Sequence, residues 1–134
     1  MNSRTEEARQ RKACGKYNCA QAVACTYSDL TPLTEEQIAA VTSGFGTGFG
    51  TMKGTCGALV GAGVILGLKI NDRVKSRAAM KRVMERFEAR NGATVCGQLK
   101  GIATGCPLRP CNDCVADAAE FLEAELAALA PEPE

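Results

Sequence analysis

The sequence predicts an all-α fold, a single-domain bundle of five to six helices. Alanine, glycine, leucine and valine dominate, whereas aromatic residues make up 4% of the chain. This composition suits closely packed helices better than strands. Apolar residues recur at helical spacing in several segments, and capping signals precede them. A chain of 134 residues can bury one core. We therefore predict one domain over residues 1–130, with a disordered tail at 131–134.

Two helices are predicted in the first third of the chain. The first spans residues 3–27, opens with the capping-box pattern Ser3-x-x-Glu6, and carries Gly15 in its interior. A turn containing Pro32 leads to the second, which opens with a capping box from Thr34 to Gln37. Its predicted inward face is Ile38, Val41 and Phe45.

A glycine-rich loop follows and leads into a buried central helix. The loop contains Gly44, Gly46, Gly48, Gly50 and Gly54. Cys56 comes next, and residues 57–68 carry no charge, which predicts a buried helix over 55–69. Within it, two glycine pairs lie four residues apart, so a neighbouring helix can approach closely. The pairs are Gly57/Gly61 and Gly63/Gly67. Cys56 falls in the predicted first turn, where the helix dipole favours its thiolate, so we predict that it is the chemically active residue.

The second half predicts three further helices, over residues 73–90, 93–100 and 111–129. Asp72 precedes the first of them, Gly92 ends it, and Pro110 precedes the last. The predicted inward face of the first is Val74, Ala78, Met80, Val83, Met84 and Phe87. On the last helix, Cys111, Val115, Ala118, Leu122, Leu126 and Leu129 are predicted to point inward. Its acidic residues Asp117, Glu120, Glu123 and Glu125 are predicted to face outward.

Two residue counts constrain the chemistry. The chain has eight cysteines and no histidine, which excludes Ser–His and Cys–His pairs, His-ligated zinc and the CxxCH haem attachment. The polar N-terminal stretch shows no secretory signal, so we expect a cytoplasmic protein whose cysteines act as ligands or redox groups. A net charge of +1 with interleaved signs gives no indication of nucleic-acid binding. The uncharged run is too short to cross a bilayer, so no membrane insertion is expected.

One cysteine spacing leaves alternatives open. Cys106-x4-Cys111-x2-Cys114 matches three ligands of a plant-type iron–sulfur ferredoxin, although no fourth cysteine follows. Cys111 and Cys114 could equally be small core residues, or a dithiol at a helix N-terminus. The glycine loop fails the phosphate-binding patterns, because the required third glycine or Gly-Lys-Ser/Thr is missing.

Four segments together resemble the redox-active C_GCAxxG_C_C family. The first is GKYNCAQAV around Cys19, and the second joins FGTGFGTM to CGALVG at Cys56. The third is CGQL at Cys96, and the fourth is CNDCV, which aligns the family cysteine with Cys111. The resemblance implies an all-helical redox protein with an iron–sulfur or similar thiolate-ligated centre held by Cys19, Cys56, Cys96 and Cys111. It also implies electron transfer or redox sensing with a partner protein, with zinc the weaker alternative and no haem.

Four further cysteines depart from the family pattern. Cys14 and Cys25 are predicted to be inert buried residues, and Cys106 and Cys114 are possible additional ligands. Two other functions remain: a metal-free thiol–disulfide protein in which Cys56 attacks and another of the four cysteines assigned by the resemblance resolves the bond, and a structural or interaction module with buried cysteines. A homodimer is compatible with all three.

Overall fold

The computed structural model describes residues 2–129, and the prediction of an all-α fold is confirmed. Seven α-helices occur in these residues: α1 Thr5–Ala13, α2 Cys19–Thr26, α3 Glu35–Thr42, α4 Gly57–Ile70, α5 Arg73–Asn91, α6 Cys96–Lys100 and α7 Cys111–Ala127. A 3₁₀ turn at Ser28–Leu30 and an irregular turn at Gly48–Met52 lie between them. The predicted tail, 131–134, lies outside the described residues.

Helix α4 is the centre of the bundle, as its uncharged sequence predicts. It packs against α2, α5 and α7, while α1 packs against α7 and α2. Leu59, Ala62, Ile65 and Leu66 are completely buried. Within residues 2–129, every helix is too short or too polar to cross a bilayer.

The first glycine pair of α4 makes the predicted close contact, and the second does not. A methyl group at Gly61 would overlap the carbonyl oxygen of Ala20 in α2. A methyl group at Gly57 would overlap the sulfur of Cys19, the first residue of α2. By contrast, a methyl group at Gly63 would make ordinary contact with Met80, and nothing lies within 4 Å of one at Gly67. Gly57 and Gly61 therefore let α2 pack closely against the first half of α4.

The single helix predicted over residues 3–27 is wrong, because the chain breaks there into α1 and α2. Gly15 adopts φ +82°, a left-handed conformation that ends the first helix. Asn18 then opens the second with a capping box: its side chain accepts from the Gln21 N–H, and the Gln21 side chain accepts from the Asn18 N–H. The break places Cys19 at a helix start.

Most helix ends follow their sequence signals. The Thr34–Gln37 capping box is present, Asp72 accepts from the Lys75 N–H, and Gly92 ends α5 at φ +83°. The predicted Ser3–Glu6 capping box is absent, because Arg4 is the N-cap of α1 and its side chain makes no capping hydrogen bond. Cys56 was predicted to lie in the first turn but is the N-cap of α4, one position before its first residue, Gly57.

Three side chains predicted to face inward are exposed. On α5 the buried positions are Ala79, Val83, Phe87 and Asn91, each four residues from the next, and this face leaves Val74 and Ala78 turned toward solvent. Val41 in α3 is also exposed, since this short helix packs mainly on α2 through Ile38.

Two carboxylates of α7 that were predicted to face outward are buried instead. Asp117 and Glu125 are each 4% exposed. Asp117 accepts hydrogen bonds from Arg90, Asn91 and Arg109, and Glu125 accepts from Arg82. Glu123 is half-buried and accepts from the Tyr27 hydroxyl. These pairings allow α7 to bury acidic groups against α5 and against the segment that precedes α7.

Candidate functional site

Two short backbone connections bring Cys56 and Cys96 together. The Cys56 N–H donates to the carbonyl of Thr94 at 2.7 Å, and the Cys96 N–H donates to the carbonyl of Gly54 at 2.9 Å. These bonds flank an antiparallel bridge between Thr55 and Val95. The start of α6 is thereby tied to the start of α4, a long-range contact that the sequence does not signal.

Cys19 and Cys111 come to the same place by different routes. Cys19 packs against Gly57 through the glycine contact described above. Cys111 begins α7 after Pro110, and the preceding loop is tied to α6 because the Leu108 N–H donates to the Leu99 carbonyl at 2.8 Å. The loop thus holds the α7 start beside α6.

The cysteines meet around one cavity of about 100 Å³. It is lined by Lys12, Asn18, Cys19, Thr47, Cys56, Gly57, Cys96, Leu99, Lys100, Arg109, Cys111 and Cys114. The structure therefore brings together all four cysteines singled out from the sequence and adds Cys114 as a fifth. Their role as ligands stays a prediction.

Each of the four predicted site cysteines lies at the N-terminus of a different helix. Cys19, Cys96 and Cys111 are the first residues of α2, α6 and α7, and Cys56 is the N-cap of α4. A helix N-terminus carries a partial positive charge and unpaired N–H groups. Such ends reduce the cost of negative charge on the sulfurs, and burial opposes this effect at Cys19 and Cys96.

The glycine-rich loop closes another side of the cavity. A methyl group at Gly48 would stand 2.7 Å from the Cys96 Cβ, so a side chain there would displace that cysteine. Thr47, Phe49 and Met52 adopt positive φ, which is uncommon for residues other than glycine. Backbone strain of this kind concentrates at functional sites. The conformation of this loop brings its backbone close to the cysteine sulfurs of the cavity.

The charges around the thiols are positive. Lys12, Lys100 and Arg109 line the cavity, and none of the lining residues is a carboxylate. Arg109 is held in place by Asp117, to which it donates two hydrogen bonds of 3.0 and 3.1 Å. The buried Asp117 therefore orients one of the cations at the site.

The thiols differ in how readily they ionise. A hydrogen bond from Cys114 lowers the pKa of Cys56 to about 7, and the N–H groups of Ala58 and Leu59 act in the same direction against the effect of burial. The bond with Cys56, together with burial, raises the pKa of Cys114. Burial also raises the pKa of Cys19 and of Cys96, partly opposed by Lys12 and Lys100 respectively. Cys56 is therefore the favoured thiolate of the site.

The remaining cysteines lie elsewhere. Cys25 is buried as expected, but Cys14 is exposed, so the prediction of a buried residue there is wrong. Cys14 is the C-cap of α1, at the break before α2. Cys106 is exposed and does not line the cavity. Of the two possible additional ligands, only Cys114 reaches the site, and its three-residue spacing from Cys111 on α7 was the available signal.

Among residues 2–129, no group of three or more cysteine, aspartate or glutamate side chains is placed to hold a metal ion. A thiolate-ligated centre at this cavity therefore stays a prediction.

Comparison with known proteins addresses the resemblance directly. Residues 17–125 match the family described as "Putative redox-active protein (C_GCAxxG_C_C)". No curated protein and no solved structure matched the chain. The matched segment contains all five cavity cysteines and extends from the break before α2 almost to the end of α7. Since it covers most of the sequence, the chain belongs to the C_GCAxxG_C_C family.

Proposed function

We propose that this protein holds an iron–sulfur centre through Cys19, Cys56, Cys96 and Cys111 and serves in electron transfer or redox sensing. The observation that carries the proposal is the convergence of these four sulfurs, from four helix N-termini, on one cavity. An iron–sulfur centre supplies reversible electron transfer when bound, at a potential set by its protein surroundings. A partner protein exchanges the electrons.

The charges around the cavity suit such a centre. Four thiolates concentrate negative charge, which is costly to bury without compensation. The four helix N-termini provide that compensation, as do Lys12 and Lys100. Sulfur is the ligand that iron–sulfur clusters require, and the chain has no histidine.

Metal analysis of protein purified without air tests the proposal. Wild-type protein is expected to contain stoichiometric iron and acid-labile sulfide and to be brown. Replacing any one of the four cysteines with serine is expected to remove most of both, because each supplies one of the four ligands.

Cys25→Ser and Cys14→Ser are the matched controls, one buried and one exposed, and neither residue lines the cavity. Both are expected to keep iron and sulfide at wild-type levels. Colourless, metal-free wild-type protein would refute the proposal, as would full iron content in the variants of all four cysteines.

A metal-free thiol–disulfide protein is the second candidate, favoured by the position of Cys56 and Cys114 on the same cavity and by the lowered pKa of Cys56. A hydroperoxide would oxidise the two thiols to one disulfide and would itself become an alcohol and water. The expected loss is two hydrogens, mapped by mass spectrometry to Cys56 and Cys114 and reversed by a dithiol. Since the thiolate attacks, the rate should rise with pH through about 7, the pKa of Cys56. A bridge that persists in Cys56→Ser contradicts this candidate.

A further inference from the structure

An open groove of about 830 Å³ lies beside the cysteine cavity, and helix α6 contributes to both. The α6 residues on the cavity are Cys96, Leu99 and Lys100, and those on the groove are Gly97, Gln98 and Gly101. The other walls of this α6 groove come from the glycine-rich loop and from the segments on either side of α6. Val95 lines the groove and Cys96 lines the cavity, so the groove comes within one residue of a predicted ligand.

The α6 groove presents large apolar side chains to solvent. Met52, Ile102 and Leu108 line it and are 37%, 64% and 52% exposed. Within residues 2–129 only three other large apolar side chains are exposed, so half of them gather at this one groove. Exposed apolar side chains that cluster in this way are typical of a surface that another molecule covers.

The charge around the α6 groove is positive. All of its lining residues fall within 37–71 and 89–112, which contain no aspartate or glutamate, although the whole chain has 15. Lys53 lines the groove, and Lys100 lies on the cavity side of α6. Neither lysine forms an ion pair in the part of the chain that the structure describes. Unpaired cations beside an apolar surface attract a partner of opposite charge.

This charge also decides between two kinds of occupant. A second copy of the chain, related by a twofold axis, would set Lys53 and Lys100 against the same cations of its partner. Like charges across an interface are costly, so the groove disfavours such a dimer. An acidic protein instead gains from both the lysines and the apolar side chains.

We propose that the α6 groove docks a small acidic electron-carrier protein, with an apolar patch that covers Met52, Ile102 and Leu108 and carboxylates that pair with Lys53 and Lys100. The docking surface follows from the groove itself, whereas the electron-carrying role of the partner rests on the proposed function. Complexes of this kind are transient and bury little area, so a single groove beside the centre is sufficient.

The test measures binding by titration calorimetry, which does not require iron in the protein. The probes are a plant-type ferredoxin, which is an acidic carrier, and cytochrome c, which is a basic one. The ferredoxin is expected to bind and cytochrome c is not. Affinity for the ferredoxin should fall as salt is added, because the pairing charges are exposed to solvent.

Four variants locate the binding surface. Ile102→Ser removes apolar area and Lys53→Glu opposes the carboxylates of the partner, so each is expected to weaken ferredoxin binding about tenfold. Val74→Ser and Lys75→Glu are the matched controls, because both residues are exposed on α5 and lie outside the groove. Both controls are expected to keep the wild-type affinity. Circular dichroism checks that all four variants keep their helical content.

Each outcome decides the matter. Ferredoxin binding that both groove variants weaken and both controls keep supports the inference. Absence of ferredoxin binding, equal binding of cytochrome c, or groove variants that bind like the wild type would overturn it. Self-association of the wild type that Ile102→Ser abolishes would assign the groove to a second copy and also overturn it. Metal-free wild type that still binds ferredoxin at the groove would refute the proposed centre but support the docking surface.

Discussion

Replacing Asp117 with asparagine is expected to lower the free energy of unfolding by about 3 kcal/mol, the low end for breaking a buried ion pair. The carboxylate is 4% exposed and accepts hydrogen bonds from Arg90, Asn91 and Arg109. Asparagine fills the same space but removes the charge and turns an amide N–H₂ toward these donors. The low end applies because the two guanidinium groups are partly exposed. Chemical denaturation measures the change.

Glu120→Gln is the matched control for this substitution. Glu120 lies three residues after Asp117 on α7 and pairs with the same Arg90, but its side chain is 53% exposed. Exposed ion pairs contribute little, so the loss should stay below about 1 kcal/mol. Equal losses in the two variants would contradict the role assigned to the buried carboxylate.

The difference between wild type and Asp117→Asn should also depend on pH. Burial acts to raise the pKa of Asp117, but hydrogen bonds from Arg109, Asn91 and Arg90 outweigh it and hold the pKa below its usual value. A lowered native pKa stabilises the fold fully above the unfolded pKa of about 3.9, and that contribution fades as the pH falls through the native value. The wild-type advantage should therefore be constant near neutrality and shrink in acid. An advantage that grows in acid would contradict this sign.

Gly61→Ala is expected to destabilise the protein by about 2 kcal/mol, since overpacking outweighs the helix propensity gained. The new methyl group would overlap the carbonyl oxygen of Ala20, and its next nearest atoms are also Ala20 backbone, which cannot rotate away. Helix α2 would have to move off α4, carrying Cys19 with it. Thermal and denaturant unfolding measure the loss.

Gly67→Ala on the same helix provides the control. No atom lies within 4 Å of a methyl group there, so the substitution should stabilise the protein by about 0.5–1 kcal/mol through helix propensity alone. The two glycine-to-alanine substitutions, six residues apart, should change the free energy of unfolding in opposite directions, which tests the packing directly. A stabilised Gly61→Ala would show that α2 and α4 are not in close contact.

Local signals predicted those parts of the fold that depend on neighbouring residues. The Thr34 capping box, the Asp72 cap and the Gly92 terminus each act within a few residues, so the sequence displays them. Residues 57–68 lack charge, and the buried α4 follows from that alone. The convergence of the four predicted cysteines came from the family resemblance, because no spacing along the chain relates Cys19 to Cys96.

The wrong predictions arise where distant residues, or competing sequence signals, determine the structure. Gly15 and the Asn18–Gln21 box together break the first helix, but the good helix formers on both sides favour continuity. The burial of Asp117 depends on Arg90, 27 residues away, and a carboxylate without that partner would face solvent. The sequence left the role of Cys114 undecided for the same reason, because its neighbour Cys56 belongs to another helix.

The position of Cys56 at the N-cap of α4 implies a trade-off between the stability of the helix and the reactivity of the thiol. Serine, threonine, aspartate and asparagine are the residues that stabilise this position best. The most buried helix of the protein instead begins with a thiol, whose sulfur meets the N–H groups of Ala58 and Leu59 only weakly until it is ionised. Whatever charges or ligates Cys56 therefore strengthens the helix on which the bundle is built. Serine would cap this helix better than the unionised thiol does, so the cysteine costs the helix stability that ionisation or ligation would restore.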